Sequence, residues 1–171
     1  RTVGVACAVG CLCLGALLVS LALGAWDMAL AWALSGLWGF VLVVYVTVAH
    51  RMIPFFTSSA MPFIAAWRPF WVLGLMLAAA AVEALAVWVE FSGPPSPIWT
   101  LARAVFELAA GGVLLWLAVV WGLVQSLKNR LLAMLHIGFV WLGLSLVLGG
   151  VTQFLGWLQG SAVLSLGALH A

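Results

Sequence analysis

Five apolar runs constrain this chain more than any other feature. They cover residues 3–23, 28–49, 70–89, 99–124 and 131–155, and each reaches the roughly 20 residues a helix needs to cross the hydrocarbon of a bilayer. Lipid offers no partner to a bare backbone N–H or C=O, so every run is expected to be helical. The predicted fold class is all-α: a polytopic membrane helix bundle of five full transmembrane helices plus the start of a sixth. That last run, from Ser161 to Ala171, is too short to cross, and is expected to be a half-span belonging to a longer protein. The first run exceeds the roughly 7–15-residue core of a signal peptide. Composition agrees, with 67% hydrophobic and 6% charged residues, where a soluble domain carries about a quarter charged. These values exclude a soluble globular domain and a disordered chain. A net charge of +2 without any basic run gives no footing for nucleic acid.

The connections are short except for residues 50–69, which carry Pro54, Pro62 and Pro69. Proline removes a helix donor and clashes with the preceding turn, so Pro54 and Pro62 are expected to interrupt any long helix there. Phe55, Phe56, Phe63 and Trp67 suggest a segment lying in the interface. Lys and Arg set the orientation. Arg1, Arg51, Arg68, Lys128 and Arg130 fall at the N-terminus, in 50–69 and in 125–130, and the other three connections carry neither residue. The N-terminus and those two loops are therefore expected in the cytoplasm. Trp26, Trp99 and Trp157 outside, and Trp67, Trp71 and Trp121 inside, fit interfacial belts.

An ionisable group in hydrocarbon is costly and faces a cavity or a partner. Glu83, Arg103, Glu107, His136 and His170 are such groups. Arg103 and Glu107 are four residues apart and share a helix face. One reading is helix-to-helix glue. The other is a polar pocket near the outer surface, where Arg103 holds an anionic cofactor group and Glu83 and Glu107 relay protons. The histidines carry more chemistry, because neutral imidazole ligates haem iron and copper. His50 ends the second run, His136 lies early in the fifth and His170 in the sixth. On helix rise and core thickness, His136 and His170 differ in height by about 9 Å. Two ligands of one iron are about 4 Å apart, so separate metal centres stay as open as a shared one. Cys7 and Cys11 share a face and Cys13 points elsewhere; buried thiols in such a run behave as small hydrophobes.

Three stretches carry a family resemblance. His50-Arg51-Met52-Ile53-Pro54-Phe55-Phe56-Thr57 resembles the R-[MV]-I-P-F-F-T signature of the NnrS family. Arg130-Leu131-Leu132-Ala133-Met134-Leu135-His136-Ile137-Gly138-Phe139, followed by Trp141-Leu142-Gly143-Leu144, resembles that family's LLxMLHxGFxWLxL stretch. Gly167-Ala168-Leu169-His170-Ala171 resembles the start of its ALHALTVGAIG segment. The resemblance implies a bacterial inner-membrane protein of roughly twelve spans that contains haem and copper and serves nitric oxide metabolism or resistance to nitrosative stress. It implies that residues 1–171 are one transmembrane helical domain of that longer protein. His136 and His170 match family histidines, so the resemblance implies that they are metal ligands; His50 is a third candidate ligand and Arg103 a candidate cofactor anchor by their own chemistry and position. The implied partners are the lipid bilayer and nitric oxide or a related small molecule. A redox enzyme acting on nitric oxide or its adducts is one function class. A transporter or non-redox scaffold with structural buried charges is the other. No H-E-x-x-H zinc motif occurs, which disfavours a peptidase.

Overall fold

A computed structural model describes residues 2–60 and 67–159. The described residues form helices α1 (Thr2–Ala22), α2 (Trp26–Gly36), a π-helical stretch (Leu37–Leu42), α3 (Val43–Ala60), α4 (Phe70–Ser92), α5 (Pro97–Val120), α6 (Leu123–Ser126) and α7 (Arg130–Gln159), with no strand among them. Five helices are long and apolar enough to cross a membrane: Thr2–Ala22, Trp26–Ser59, Phe70–Ser92, Pro97–Val120 and Arg130–Gln159. The chain is thus a multi-pass, all-helical membrane protein. The expected sixth run, with His170, lies outside the described residues, as do Pro62 and Phe63.

Two expectations about helix ends need correction. Pro54 does not interrupt the second crossing; it sits buried inside α3, which continues to Ala60. The ring removes only the one bond that would run to the His50 carbonyl, and a spanning helix tolerates that where its neighbours restore the partner. The fourth crossing ends at Val120 and not at residue 124. Gly122 there takes the left-handed conformation, φ 85° and ψ 42°, which a β-carbon disfavours and glycine does not.

The described chain divides into two compact units. The first comprises Arg1–Val48 and Phe70–Pro95. Small residues let its helices approach: the Phe40 ring lies directly over Gly10, and Gly36 faces the Cys13 β-carbon. Trp32 and Trp88 meet edge to face at 4.7 Å. An apolar cleft of about 380 Å³ opens along Gly10, Cys13, Trp32, Gly36 and Phe40, beside the π-helical turn. Cys13 is buried while Cys7 and Cys11 are exposed, the facing that their spacing implies.

The second unit comprises Ala49–Pro69 and Ser96–Ala171. Its α5 opens with a Ser96 cap whose Oγ accepts from the Trp99 N–H at 3.2 Å, followed by Pro97 in the first turn. Serine accepts an unpaired first-turn donor there, and proline has no donor to lose. The α7 helix is capped by Asn129, whose Oδ1 accepts from the Leu131 and Leu132 N–H groups at 3.2 and 3.4 Å. Among the described helices α5 and α7 make the most extensive pairing, because glycines on both remove the side chain from the contact. A β-carbon on Gly111 would meet the Gly143 carbonyl at 2.7 Å, and one on Gly150 would meet the Ala104 carbonyl at 2.9 Å. In lipid such close backbone approach replaces the hydrophobic drive between helices.

Candidate metal centre

The second unit gathers buried polar groups around Trp121. This residue follows α5 and is fully buried, 0% exposed, which corrects its expected place in an interfacial belt. Trp26, Trp67, Trp71 and Trp157 do lie exposed. Burial of an indole requires a partner for its N–H: Trp121 Nε1 donates to the Trp67 carbonyl at 2.8 Å. The Trp121 carbonyl accepts from the Thr57 hydroxyl at 3.2 Å. Its ring packs at 5.3 Å against Phe139 and at 6.4 Å against His50.

His50 is buried at 2% exposure. Its Nε2 lies 3.1 Å from the Pro69 carbonyl. A carbonyl only accepts, so Nε2 carries the proton and the lone pair of the neutral ring sits on Nδ1. His136 is fully buried on the α7 face that also carries Leu132 and Phe139. Its Nδ1 lies 3.1 Å from the Leu132 carbonyl one turn earlier. By the same reasoning Nδ1 is the donor and the lone pair sits on Nε2. That Nε2 is buried and makes no hydrogen bond. The Trp121 carbonyl also bears on this ring; as an acceptor it pairs with Nε2 only when that nitrogen carries the proton.

A buried nitrogen without a partner costs free energy, and buried polar groups are nearly always satisfied. A metal-binding histidine has this arrangement: one nitrogen donates to a backbone carbonyl, which fixes the tautomer, and the other is presented to the metal. His136 fits that description. Among the described residues no group of three or more His, Cys, Asp or Glu side chains stands close enough to hold a metal by itself.

The structure brings His50 and His136 to the same tryptophan. Arg103 does not join them. It sits near the opposite end of α5, about 25 Å away along the helix axis at 1.5 Å per residue. Its Nε donates to Glu107 Oε1 in an i,i+4 ion pair, with the two side chains 12% and 1% exposed. Glu83 is buried on α4 in the first unit. Breaking a buried pair on one side costs more than replacing both partners by apolar groups. Arg103→Met is therefore expected to destabilise the protein by about 3 kcal/mol, and the Arg103→Met/Glu107→Leu double variant to recover most of that. Reversible unfolding in mild detergent measures both. Equal losses for single and double variants would contradict a pairing role.

Trp121, Thr57 and Pro69 are the members of this centre that sequence reasoning missed. The signal available for Trp121 was the glycine after it, which marks a helix end.

No curated protein and no solved structure matches the chain. A family model described as NnrS protein matches residues 1–171. With the match covering the whole sequence, and with the histidine-bearing stretches 50–57 and 130–144 placed together in one unit, the chain belongs to the NnrS protein family.

Proposed function

We propose that this chain is the histidine-bearing part of a haem- and copper-containing membrane protein that acts on nitric oxide or protects against nitrosative stress. One observation carries the reading: the buried, unpartnered Nε2 of His136. Family membership supplies the chemical context. In this reading His136 offers Nε2 to a metal while Leu132 holds its Nδ1 proton, and His50 borders the same tryptophan from α3. The apolar neighbours Leu132, Phe139 and Trp121 exclude water, which strengthens the pull of each ligand on a metal's potential. When bound, haem iron or copper supplies one-electron chemistry and a coordination position for a small diatomic ligand. Arg103, near the opposite end of α5, belongs to the proposal as an anion anchor, and His170, outside the described residues, as a ligand of a shared or a separate metal. Visible spectra and metal analysis of the intact purified protein test the reading. A haem band or bound copper is expected, and a colourless, metal-free protein refutes it in favour of a transporter or scaffold.

The orientation is part of the same proposal. Residues 50–69 and 125–130 face the cytoplasm of a bacterial inner membrane, supported by the placement of five Lys and Arg residues in alternate connections. Ser58 is exposed. A Ser58→Cys variant lacking Cys7, Cys11 and Cys13 is expected to react with a membrane-impermeant maleimide in inverted vesicles and not in intact cells. Labelling confined to the periplasmic side reverses the orientation.

A further inference from the structure

We infer that Trp121 is a positioning residue for the histidine centre, setting the tautomer and orientation of His50 through the backbone of residues 67–69. The inference rests on the reading of His50 and His136 as a functional pair. It comes from a chain of contacts that are all internal to the second unit. The Trp121 indole N–H donates to the Trp67 carbonyl at 2.8 Å. Two residues on, the Pro69 carbonyl accepts from His50 Nε2 at 3.1 Å. Between them the backbone is non-helical, with Trp67 and Arg68 exposed. A side-chain hydrogen bond to such a connection tethers its backbone. The indole bond is one such tether, and it is two residues from the carbonyl that selects the His50 proton.

Tryptophan is the side chain this task requires. It alone combines a wide apolar ring with a single donor at its edge. The ring fills the space between His50 and Phe139, and the donor reaches past it to the connection. Phenylalanine keeps the packing and loses the tether. The other ties to Trp121 go to its carbonyl, which accepts from Thr57 and bears on the His136 ring; phenylalanine keeps that carbonyl, and His136 has a further tether within α7, at the Leu132 carbonyl. Loss of the indole N–H thus bears on His50 and spares the His136 tautomer. A tryptophan that merely fills a core would move neither.

The test uses Trp121→Phe in the intact, metal-free protein with ¹⁵N-labelled histidine, the resonances assigned by single-histidine substitutions. His50 is expected to change from one protonated-Nε2 form to a mixture of tautomers, and its modification by diethylpyrocarbonate to rise about fivefold, the population change for loss of one typical buried hydrogen bond. His136 is expected to keep its protonated Nδ1. Thr57→Val, which leaves the indole tether in place, is expected to leave His50 unchanged. Should Trp121→Phe fail to fold, benzothienylalanine incorporated at position 121 keeps the bicyclic shape and replaces the N–H with sulfur. An unaltered His50 signature in either variant overturns the inference, and so does an equal change at both histidines in a protein of native helicity. Spectra of the metal-loaded wild type are a separate measurement. A colourless wild type overturns the functional reading, whereas the apo-protein result stands or falls by itself.

Discussion

Replacing His136 with Leu in the intact protein is expected to remove a metal or haem signal while leaving the fold in place. Two effects decide this. The imidazole is fully buried, and one nitrogen has no partner. A purely structural histidine in that position is a net cost, so an apolar residue of similar size is neutral or stabilising. If Nε2 binds a metal, the same change deletes one of its ligands, and no group of three or more ligating side chains stands among the described residues to hold the metal instead. Thermal unfolding within about 1.5 kcal/mol of wild type, together with loss of the visible band or of one metal equivalent, is the expected pair of results. His136→Met is the graded version: a thioether keeps haem and raises its potential. His50→Ala is expected to act differently, losing about 1 kcal/mol for its bond to the Pro69 carbonyl besides the cavity it leaves. Unchanged spectra and metal content in both the His136→Leu and the His50→Ala proteins would remove the centre from these residues.

The second large effect is expected where α5 meets α7. Gly111→Ala places a β-carbon 2.7 Å from the Gly143 carbonyl and 2.9 Å from the Val147 nitrogen. Both are backbone atoms, so the helices themselves must separate. Gly150→Ala does the same against the Ala104 carbonyl and the Leu108 nitrogen, each at 2.9 Å. Overpacking of this kind costs about 1–3 kcal/mol. Gly143→Ala is expected to cost less, because its nearest neighbours at 2.9 Å are side-chain atoms of Leu115, which have other rotamers. Gly112→Ala is the internal control, with nothing within 4 Å of the added carbon; it gains up to about 1 kcal/mol of helix propensity. Adjacent glycines, 111 and 112, thus change stability in opposite directions. Detergent-titrated unfolding with a helicity readout measures the series, and equal effects at 111 and 112 would contradict the close α5–α7 approach.

The helix number and type were legible in the chain because they depend on local quantities. Hydropathy over some twenty residues, and the absence of water as a hydrogen-bond partner in lipid, leave a spanning segment only one conformation. The Arg103–Glu107 pair was legible for the same reason, since an i,i+4 spacing puts both on one face whatever surrounds them. That Cys7 and Cys11 share one face and Cys13 lies on another followed from helix period alone; which face is buried was decided by packing. Pro54 was misread because the cost of a proline is local while its tolerance is not: the loss of one donor is bearable where packing and a longer apolar run outweigh it.

The candidate centre lay beyond any local rule. His50 and His136 stand out as histidines in apolar runs, but their relation to each other is decided by Trp121, whose partners Trp67 and Thr57 are 54 and 64 positions away in the chain. Residues 49–69 join the same compact unit as α5 and α7, while residues 1–48 and α4 form the other, a partition that hydropathy cannot express because every run is apolar enough to span. The orphaned nitrogen of His136 exists only once the Leu132 carbonyl has taken Nδ1 and packing has removed water from Nε2. By itself, the sequence determined that the described residues form five helices long and apolar enough to cross a membrane and that three histidines lie in or at the ends of the apolar runs. Tertiary packing alone decided which nitrogen was left without a partner, because satisfaction of a buried polar atom depends on every element that surrounds it.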